Sequence, residues 1–237
     1  MVCMNQPLPT CCTALQTHWP LPQPLPGAVL VSCGFDSTRL ASDDFQRSGI
    51  EQTPSLQRSV AKRQAEFLAG RICAREALRR LDGREYAPTT GEDRAPIWPV
   101  GISGSITHGT GWAAAIVAHQ SDHRGLGLDM ETLLSEERAQ RLAGEILIPD
   151  ELQRMAADRV ALTVTLTFSL KESLFKALYP IVQQRFYFEH AELLEWSDDG
   201  SARLRLLTDL SSEWRHGCEL QAQFCVEGQR LLSLVSV

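Results

Sequence analysis

The groups in this chain best suited to chemistry sit in two short stretches, Gly127-Leu128-Asp129-Met130-Glu131 and Phe168-Ser169-Leu170-Lys171-Glu172-Ser173-Leu174-Phe175-Lys176. Together they supply three carboxylates and two lysines. Those are the groups needed to hold a divalent cation against a diphosphate and to move protons beside it. In a strand, period-two geometry sends Leu126, Leu128 and Met130 to one face and Gly127, Asp129 and Glu131 to the other. Two adjacent carboxylates repel, and one tends to stay protonated unless a cation sits between them. A hard, small ion such as Mg²⁺ suits all-oxygen ligation completed by water and phosphate oxygens. The plainer alternative is an edge strand whose polar face lies in water.

The second stretch reads as a helix from about Ser169 to Tyr179, stopped by Pro180, with Leu170, Leu174, Ala177, Leu178 and Ile181 as its core stripe. Glu172 and Lys176 then fall on the opposite face. Purely structural roles compete there, because Ser169 and Glu172 have capping-box spacing and Glu172 with Lys176 is a favourable i,i+4 pair. Phe168, Phe175 and Tyr179 project near the same side, which makes that face the wall of a cleft.

Several further elements must position these groups. A long helix is expected from about Pro54 to Leu81, carrying a basic cluster of Arg58, Lys62, Arg63, Arg71, Arg75, Arg79 and Arg80. It is interrupted by Gly70, which costs about 1 kcal/mol relative to alanine and so implies a close approach of backbone or ligand. Ile102 to Ile106 and Trp112 to Ala118 read as adjacent strands joined through His108-Gly109-Thr110-Gly111, leaving His108 exposed at a loop tip within reach of a phosphate. Val29 to Ser32 is a first strand. Helical stretches are expected around Ser135 to Ala157, and late strands near Ala191 to Trp196, Ala202 to Leu207, Gln221 to Val226 and Leu231 to Val237. The proline-rich residues 1–26 form an extended lead-in.

Composition narrows the class. The 237 residues are 43% hydrophobic and 22% charged, as in an ordinary globular protein with a sizeable core. The net charge of −6 argues against nucleic acid, while a local basic patch in an acidic chain suits a small phosphorylated ligand. No apolar run approaches the ~20 residues of a membrane span. Without a basic, then apolar N-terminal leader the expected location is the cytoplasm. Seven cysteines with no C-x-x-C pair read as free thiols rather than a disulfide framework or a zinc site. His119 and His123 read as incidental.

The G-x-D-x-E segment followed some forty residues later by K-E-S-x-x-K resembles the 4′-phosphopantetheinyl transferases, specifically the larger single-chain type that serves siderophore and other carrier-protein synthases. Gly104-Ser105-Ile106-Thr107-His108 is similar to the family's S-x-S-H segment. Arg63 to Arg71 resembles the basic helix that precedes it. The order and spacing of all four agree from about Arg58 to Tyr179. Thr107, Met130 and Phe168 stand where serine, an aliphatic residue and tryptophan are commoner, and none of these departures removes an acid or a lysine.

The resemblance implies an α+β fold of two similar halves related by a pseudo-twofold, with the active site between them. The halves would be residues 27–121 and 122–237. It implies an Mg²⁺-dependent transfer of the phosphopantetheine arm of coenzyme A to a serine of an apo acyl or peptidyl carrier protein, as a holo-[acyl-carrier-protein] synthase does, releasing adenosine 3′,5′-bisphosphate. Fatty-acid and siderophore synthesis are the implied settings, and a monomer the implied state. Asp129, Glu131 and Glu172 would hold the metal, with Glu131 or Glu172 taking the serine proton. Lys176 would stabilise the diphosphate and could protonate the departing bisphosphate, with Lys171 as a further phosphate contact. Arg63, Arg71 and His108 would face the 3′-phosphate and its neighbours, joined by Arg94 and Lys62. Two rival readings are another Mg²⁺-dependent enzyme acting on a nucleotide diphosphate, and a non-catalytic coenzyme A or carrier-binding protein.

Overall fold

A computed structural model describes residues 8–237 and divides the chain into two compact units. The first comprises residues 8–19 together with Gly27–His119, and the second Pro20–Pro26 together with Gln120–Val237. The lead-in is therefore shared. Its first part pairs with a strand of unit one through isolated bridges at Cys12↔Phe35 and Gln16↔Ser32. Its second part is fastened in unit two, where Gln23 and Gln223 exchange two hydrogen bonds of 3.0 and 2.9 Å and His123 meets the Pro26 carbonyl.

Unit one lays a long helix across a three-stranded antiparallel sheet. Strand β1 (Val29–Gly34) pairs with β5 (Trp112–His119), which pairs with β4 (Ile102–Gly109). Two short helices, α1 (Asp44–Ser48) and α2 (Pro54–Gln57), lead into α3 (Ala61–Asp82). A small hairpin of β2 (Thr89–Thr90) and β3 (Pro96–Ile97) follows. The single helix expected from Pro54 is thus two. Ser59 donates its hydroxyl to the Leu56 carbonyl, the Gln64 side chain donates to the Ser59 carbonyl, and Val60 is extended, so the chain restarts at Ala61.

Small side chains let α3 approach its sheet. Ala65, Ala69, Cys73 and Ala77 share a core with Val31, Cys33, Ala113, Ala115 and Val117. Gly70 belongs to this seam: a Cβ there would stand 2.8 Å from Cγ2 of Ile106. The six described cysteines are free thiols, as expected, and four of them line up in this unit. Cys11 and Cys12 sulfurs are 3.8 Å apart, and Cys33 and Cys73 sulfurs 3.6 Å apart.

Unit two repeats the plan with a larger sheet. Its order is β6 (Leu126–Thr132), β10 (Arg230–Ser236), β9 (Glu219–Glu227), β8 (Ser201–Leu206) and β7 (Ala191–Trp196), all antiparallel. Before the last four strands come α4 (Glu136–Ile146), α5 (Pro149–Arg154) and the long α6 (Val160–Val182). Leu166, Leu170, Leu174, Ala177 and Leu178 of α6 share a core with Leu193, Leu204, Leu206, Phe224, Leu231 and Val235 of the sheet. Ala139, Ala143 and Ile146 of α4 meet Val160 and Val164 near the start of α6.

Helix α6 extends beyond the expected span at both ends. Its first turns, Val160 to Phe168, are rich in β-branched residues that alternate as in a strand. They are helical because Val164 and Leu166 are buried and because Thr165 and Thr167 satisfy their hydroxyls on the Ala161 and Thr163 carbonyls. Pro180 lies inside the last turns rather than ending them, and the helix stops at Gln183 in the left-handed region. Both units therefore show the α+β helix-on-sheet pattern expected. Among the described residues, no helix is long and apolar enough to cross a membrane.

Candidate active site

Strand β6 is an edge strand, but the Gly127, Asp129 and Glu131 face is covered by α6 instead of water. Contact is closest at Gly127, where a Cβ would stand 1.7 Å from the Ser173 carbonyl oxygen, so no other residue fits without displacing the helix. This approach brings Asp129 under α6. Its Oδ1 accepts from Lys176 Nζ at 2.6 Å and its Oδ2 from Ser169 Oγ at 2.8 Å. Lys176 also donates to the Leu128 carbonyl, at 3.2 Å. Ser169 is therefore interior to the helix, which removes its capping role, and Lys176 spends its charge on Asp129 rather than on an i,i+4 partner.

The neighbouring acids carry the electrostatic consequence. Burial, then the charge of Asp129, pushes the Glu131 carboxyl up to about 7, against the opposing pull of Lys176. Burial also raises Glu172, opposed by Lys176 and reinforced by Asp129. Three mutually repelling carboxylates with one lysine make a site short of positive charge. No three acidic, histidine or cysteine side chains among the described residues stand close enough to enclose a metal alone. The donor set nonetheless fits a hard divalent cation of the Mg²⁺ type, which takes one or two carboxylates and fills its remaining positions with water and substrate phosphate oxygens.

Lys171 does not join this group. Its side chain is 2% exposed, and its ammonium donates to the Ile146 carbonyl at 3.0 Å, the Phe188 carbonyl at 3.0 Å and Glu151 at 2.7 Å. All three donors are committed to internal acceptors, leaving none for a phosphate. Glu151 in turn accepts from the Ile148 and Leu193 backbone amides, so the pair ties α6 to the start of α5 and to β7. The first lysine of the K-E-S-x-x-K segment is a structural tie and the second faces the acids.

Glu172 lines a pocket of about 170 Å³ walled by Phe175, Phe186, Tyr187 and Phe188, with Arg185 among its lining residues. Phe175 stacks on Tyr179 at 5.1 Å and meets Phe186 at 5.3 Å, while Phe168 meets Phe188 at 5.4 Å. Of the three aromatics expected to wall a cleft on this face of the helix, Phe175 lines the pocket, while Phe168 and Tyr179 only touch rings of its wall. Residues 185–188, which complete it, carry no motif.

The cations of unit one cluster separately. Arg63 donates to Nε2 of His108 at 2.8 Å, and Glu66 lies 3.7 Å from Arg63 and 3.6 Å from His108 Nδ1. Arg71 is 6% exposed, its guanidinium 4.4 Å from the Phe67 ring centroid and bonded to Thr90 Oγ1 at 3.1 Å. Its buried Nε has no partner among the described residues. Burial, then the charge of Arg63, lowers Arg71 to about 10. An incompletely satisfied buried guanidinium beside a second one is the environment an anion would relieve. His108 is not at a loop tip: β4 runs through it, it pairs with Ala113, and its side chain is half-buried. The hairpin turn is only Thr110-Gly111. Lys62 is exposed, and Arg94 stands on the exposed β2–β3 turn with φ of 72°.

Two models of known families match the chain, one within each unit. The family model described as the 4′-phosphopantetheinyl transferase N-terminal domain matches residues 51–118. That of the 4′-phosphopantetheinyl transferase superfamily matches residues 125–232. The chain is 36% identical over 183 residues to enterobactin synthase component D of Escherichia coli (strain K12), covering 76% of this chain and 84% of that one. It is also 36% identical over 176 residues to 4′-phosphopantetheinyl transferase Npt of Nocardia iowensis, covering 73% and 78% respectively. A third relative, 4′-phosphopantetheinyl transferase Svp of Streptomyces mobaraensis, is 37% identical over 161 residues, 66% of this chain and 65% of that one. The chain belongs to the 4′-phosphopantetheinyl transferase family.

Proposed function

We propose that this transferase moves the 4′-phosphopantetheine arm of coenzyme A to a serine hydroxyl of an apo acyl or peptidyl carrier protein, with Mg²⁺, releasing adenosine 3′,5′-bisphosphate. The observation that carries this reading is Asp129 held between Lys176 and Ser169, with Glu131 and Glu172 both raised by burial and like charge. A pure coenzyme A-binding protein has no use for three carboxylates beside a diphosphate.

In the balanced reaction the serine oxygen attacks the phosphorus that bears pantetheine. The bond from that phosphorus to the bridging oxygen breaks, and the bridging oxygen leaves with the adenosine bisphosphate. When bound to Asp129, Glu131 and Glu172, Mg²⁺ would offset the negative charge gathering on the diphosphate oxygens. Glu172 lines the aromatic pocket and takes the serine proton. Lys176 stabilises the leaving bisphosphate. The aromatic pocket takes the uncharged part of the pantetheine arm, and Arg63, Arg71 and His108 take the 3′-phosphate through charge-assisted bonds.

The test is incubation of the purified protein with coenzyme A, Mg²⁺ and a panel of apo fatty-acid, peptidyl and aryl carrier proteins, read by intact mass. One phosphopantetheine is gained on a carrier, and the gain is lost on chelation and in Asp129→Ala. Cleavage of coenzyme A without any carrier would replace the transferase mechanism by diphosphate hydrolysis.

A further inference from the structure

Behind Asp129 lies a run of buried hydroxyls that the reaction does not call on directly. Ser233 stands opposite Asp129 in the β6–β10 register, in a strand otherwise apolar at Leu231, Leu232, Leu234 and Val235. Ser169 and Ser173, one helical turn apart, face it from α6. All three serines are fully buried. Ser233 Oγ is 2.7 Å from Ser169 Oγ and 2.8 Å from Ser173 Oγ, and Ser173 Oγ is also 3.1 Å from the Ser233 carbonyl.

Proton counting orders this network. An ionised carboxylate only accepts, so the Ser169 proton is committed to Asp129 Oδ2. Ser169 is then left with an acceptor role towards Ser233, whose proton fills it. Ser173 donates to Ser233, at its hydroxyl or its carbonyl. The result is a head-to-tail run from Ser173 through Ser233 and Ser169 to Asp129, in which each O–H polarises the next. With Lys176 on Oδ1, both carboxylate oxygens are fixed in rotation and each keeps a lone pair to offer elsewhere.

We propose that Ser233, acting through Ser169, is a positioning residue that fixes the Asp129 carboxylate for cation binding, with Ser173 as the outer end of the same run. The proposal rests on the metal reading of Asp129 given above. Partners that hold a metal ligand from behind typically change metal affinity by about 10–100-fold when removed. Serine to alanine at Ser233 deletes one oxygen and leaves strand and helix backbones in register.

The experiment measures Mn²⁺ bound to protein in the presence of coenzyme A, by electron paramagnetic resonance of the free ion, with protein-free coenzyme A subtracted. Wild type, Ser233→Ala, Ser173→Ala and Asp129→Ala are compared, together with transfer rate against Mg²⁺ concentration and thermal midpoints. Ser233→Ala should weaken Mn²⁺ binding by about tenfold or more, and raise the Mg²⁺ concentration for half-maximal rate similarly while kcat at saturating Mg²⁺ stays within a few-fold. Ser173→Ala should show the same pattern more weakly, which supplies the test if Ser233→Ala does not fold. A lowered thermal midpoint with unchanged Mn²⁺ affinity would make the serines purely structural and overturn the proposal. Absence of Mn²⁺ binding in wild type would overturn it together with the metal reading on which it rests.

Discussion

The two units place a helix on an antiparallel sheet in the same way and fill the contact with opposite charge. In unit one, Arg63 and His108 share one acid, Glu66, and Arg71 falls to about 10 through burial and the charge of Arg63. In unit two, Asp129, Glu131 and Glu172 are served by Lys176, and Glu131 rises to about 7 through burial and the charge of Asp129. Each cluster is destabilised by its own like charges. An anion would relieve the first cluster and a divalent cation the second. The clusters also differ internally: a buried Arg71 nitrogen is unmatched, whereas both oxygens of Asp129 are matched.

The comparison breaks most completely at the helix–sheet seams. Gly127→Ala forces a Cβ into the backbone of α6, which cannot swing aside, and should cost about 3 kcal/mol or more in denaturant unfolding. Next are the two lysines of α6. Lys171→Met strands the buried Glu151 carboxylate and should lose about 3–5 kcal/mol of stability. Lys176→Met, at a pair more than a quarter exposed on the lysine side, should cost only about 1 kcal/mol in stability. Its transfer rate should nevertheless fall by about 10³-fold or more, as for loss of a transition-state charge partner. Comparable losses of both properties in both variants would remove the division of labour.

His108→Ala sharpens the role of unit one. It should raise the apparent KM for coenzyme A by about 10–100-fold, in line with a lost hydrogen bond to a charged group. It should leave the 3′-dephospho form unaffected. Equal losses for both forms would move His108 away from the 3′-phosphate.

A smaller effect is expected for acid in unit two. Glu131 binds its proton more tightly folded than unfolded, so its contribution to stability is complete below its ordinary carboxyl pKa and is lost as pH rises towards about 7. Allowing for its partial exposure, the loss is on the order of 1 kcal/mol in metal-free buffer. Glu131→Gln should flatten that slope in unfolding curves taken across this range, and saturating Mg²⁺ should do the same in wild type. Smallest of all is Gly70→Ala, where the helix gains about 1 kcal/mol of propensity and Ile106 can rotate its Cγ2 away. The net change should lie within about 1 kcal/mol, in contrast to Gly127.

Legibility in the sequence followed how local each determinant is. The alternation of Gly127, Asp129 and Glu131, the late strands of unit two and the aromatic face of α6 were readable because period and side-chain type set them. The start of α6 was not, since Val160 to Phe168 alternates like a strand and only burial against α4 and the sheet makes it helical. Lys171 and Lys176 look alike in sequence, yet five residues at roughly 100° each leave them about 140° apart around the helix. One meets Glu151 and the other Asp129. Ser233 had a faint signal, a hydroxyl amid the apolar run Leu231 to Val235, but its partners lie some sixty residues away. Glu66 carried no signal of its own, because nothing nearby in sequence announces His108.

The line of sulfurs in unit one gives the molecule its own clock for local opening. Hydrogen bonds among neighbouring thiols, then burial, push Cys11 and Cys33 far above the ordinary thiol range, and Cys12 up to about 12. Cys73 is fully enclosed. Cys11, Cys33 and Cys73 are buried, so an alkylating reagent reaches them at the rate of local opening in this unit. Cys218 and Cys225 of unit two are half-exposed and take label sooner. Peptide-resolved alkylation, repeated with coenzyme A present, therefore reads whether ligand slows that opening, without adding any probe to the chain.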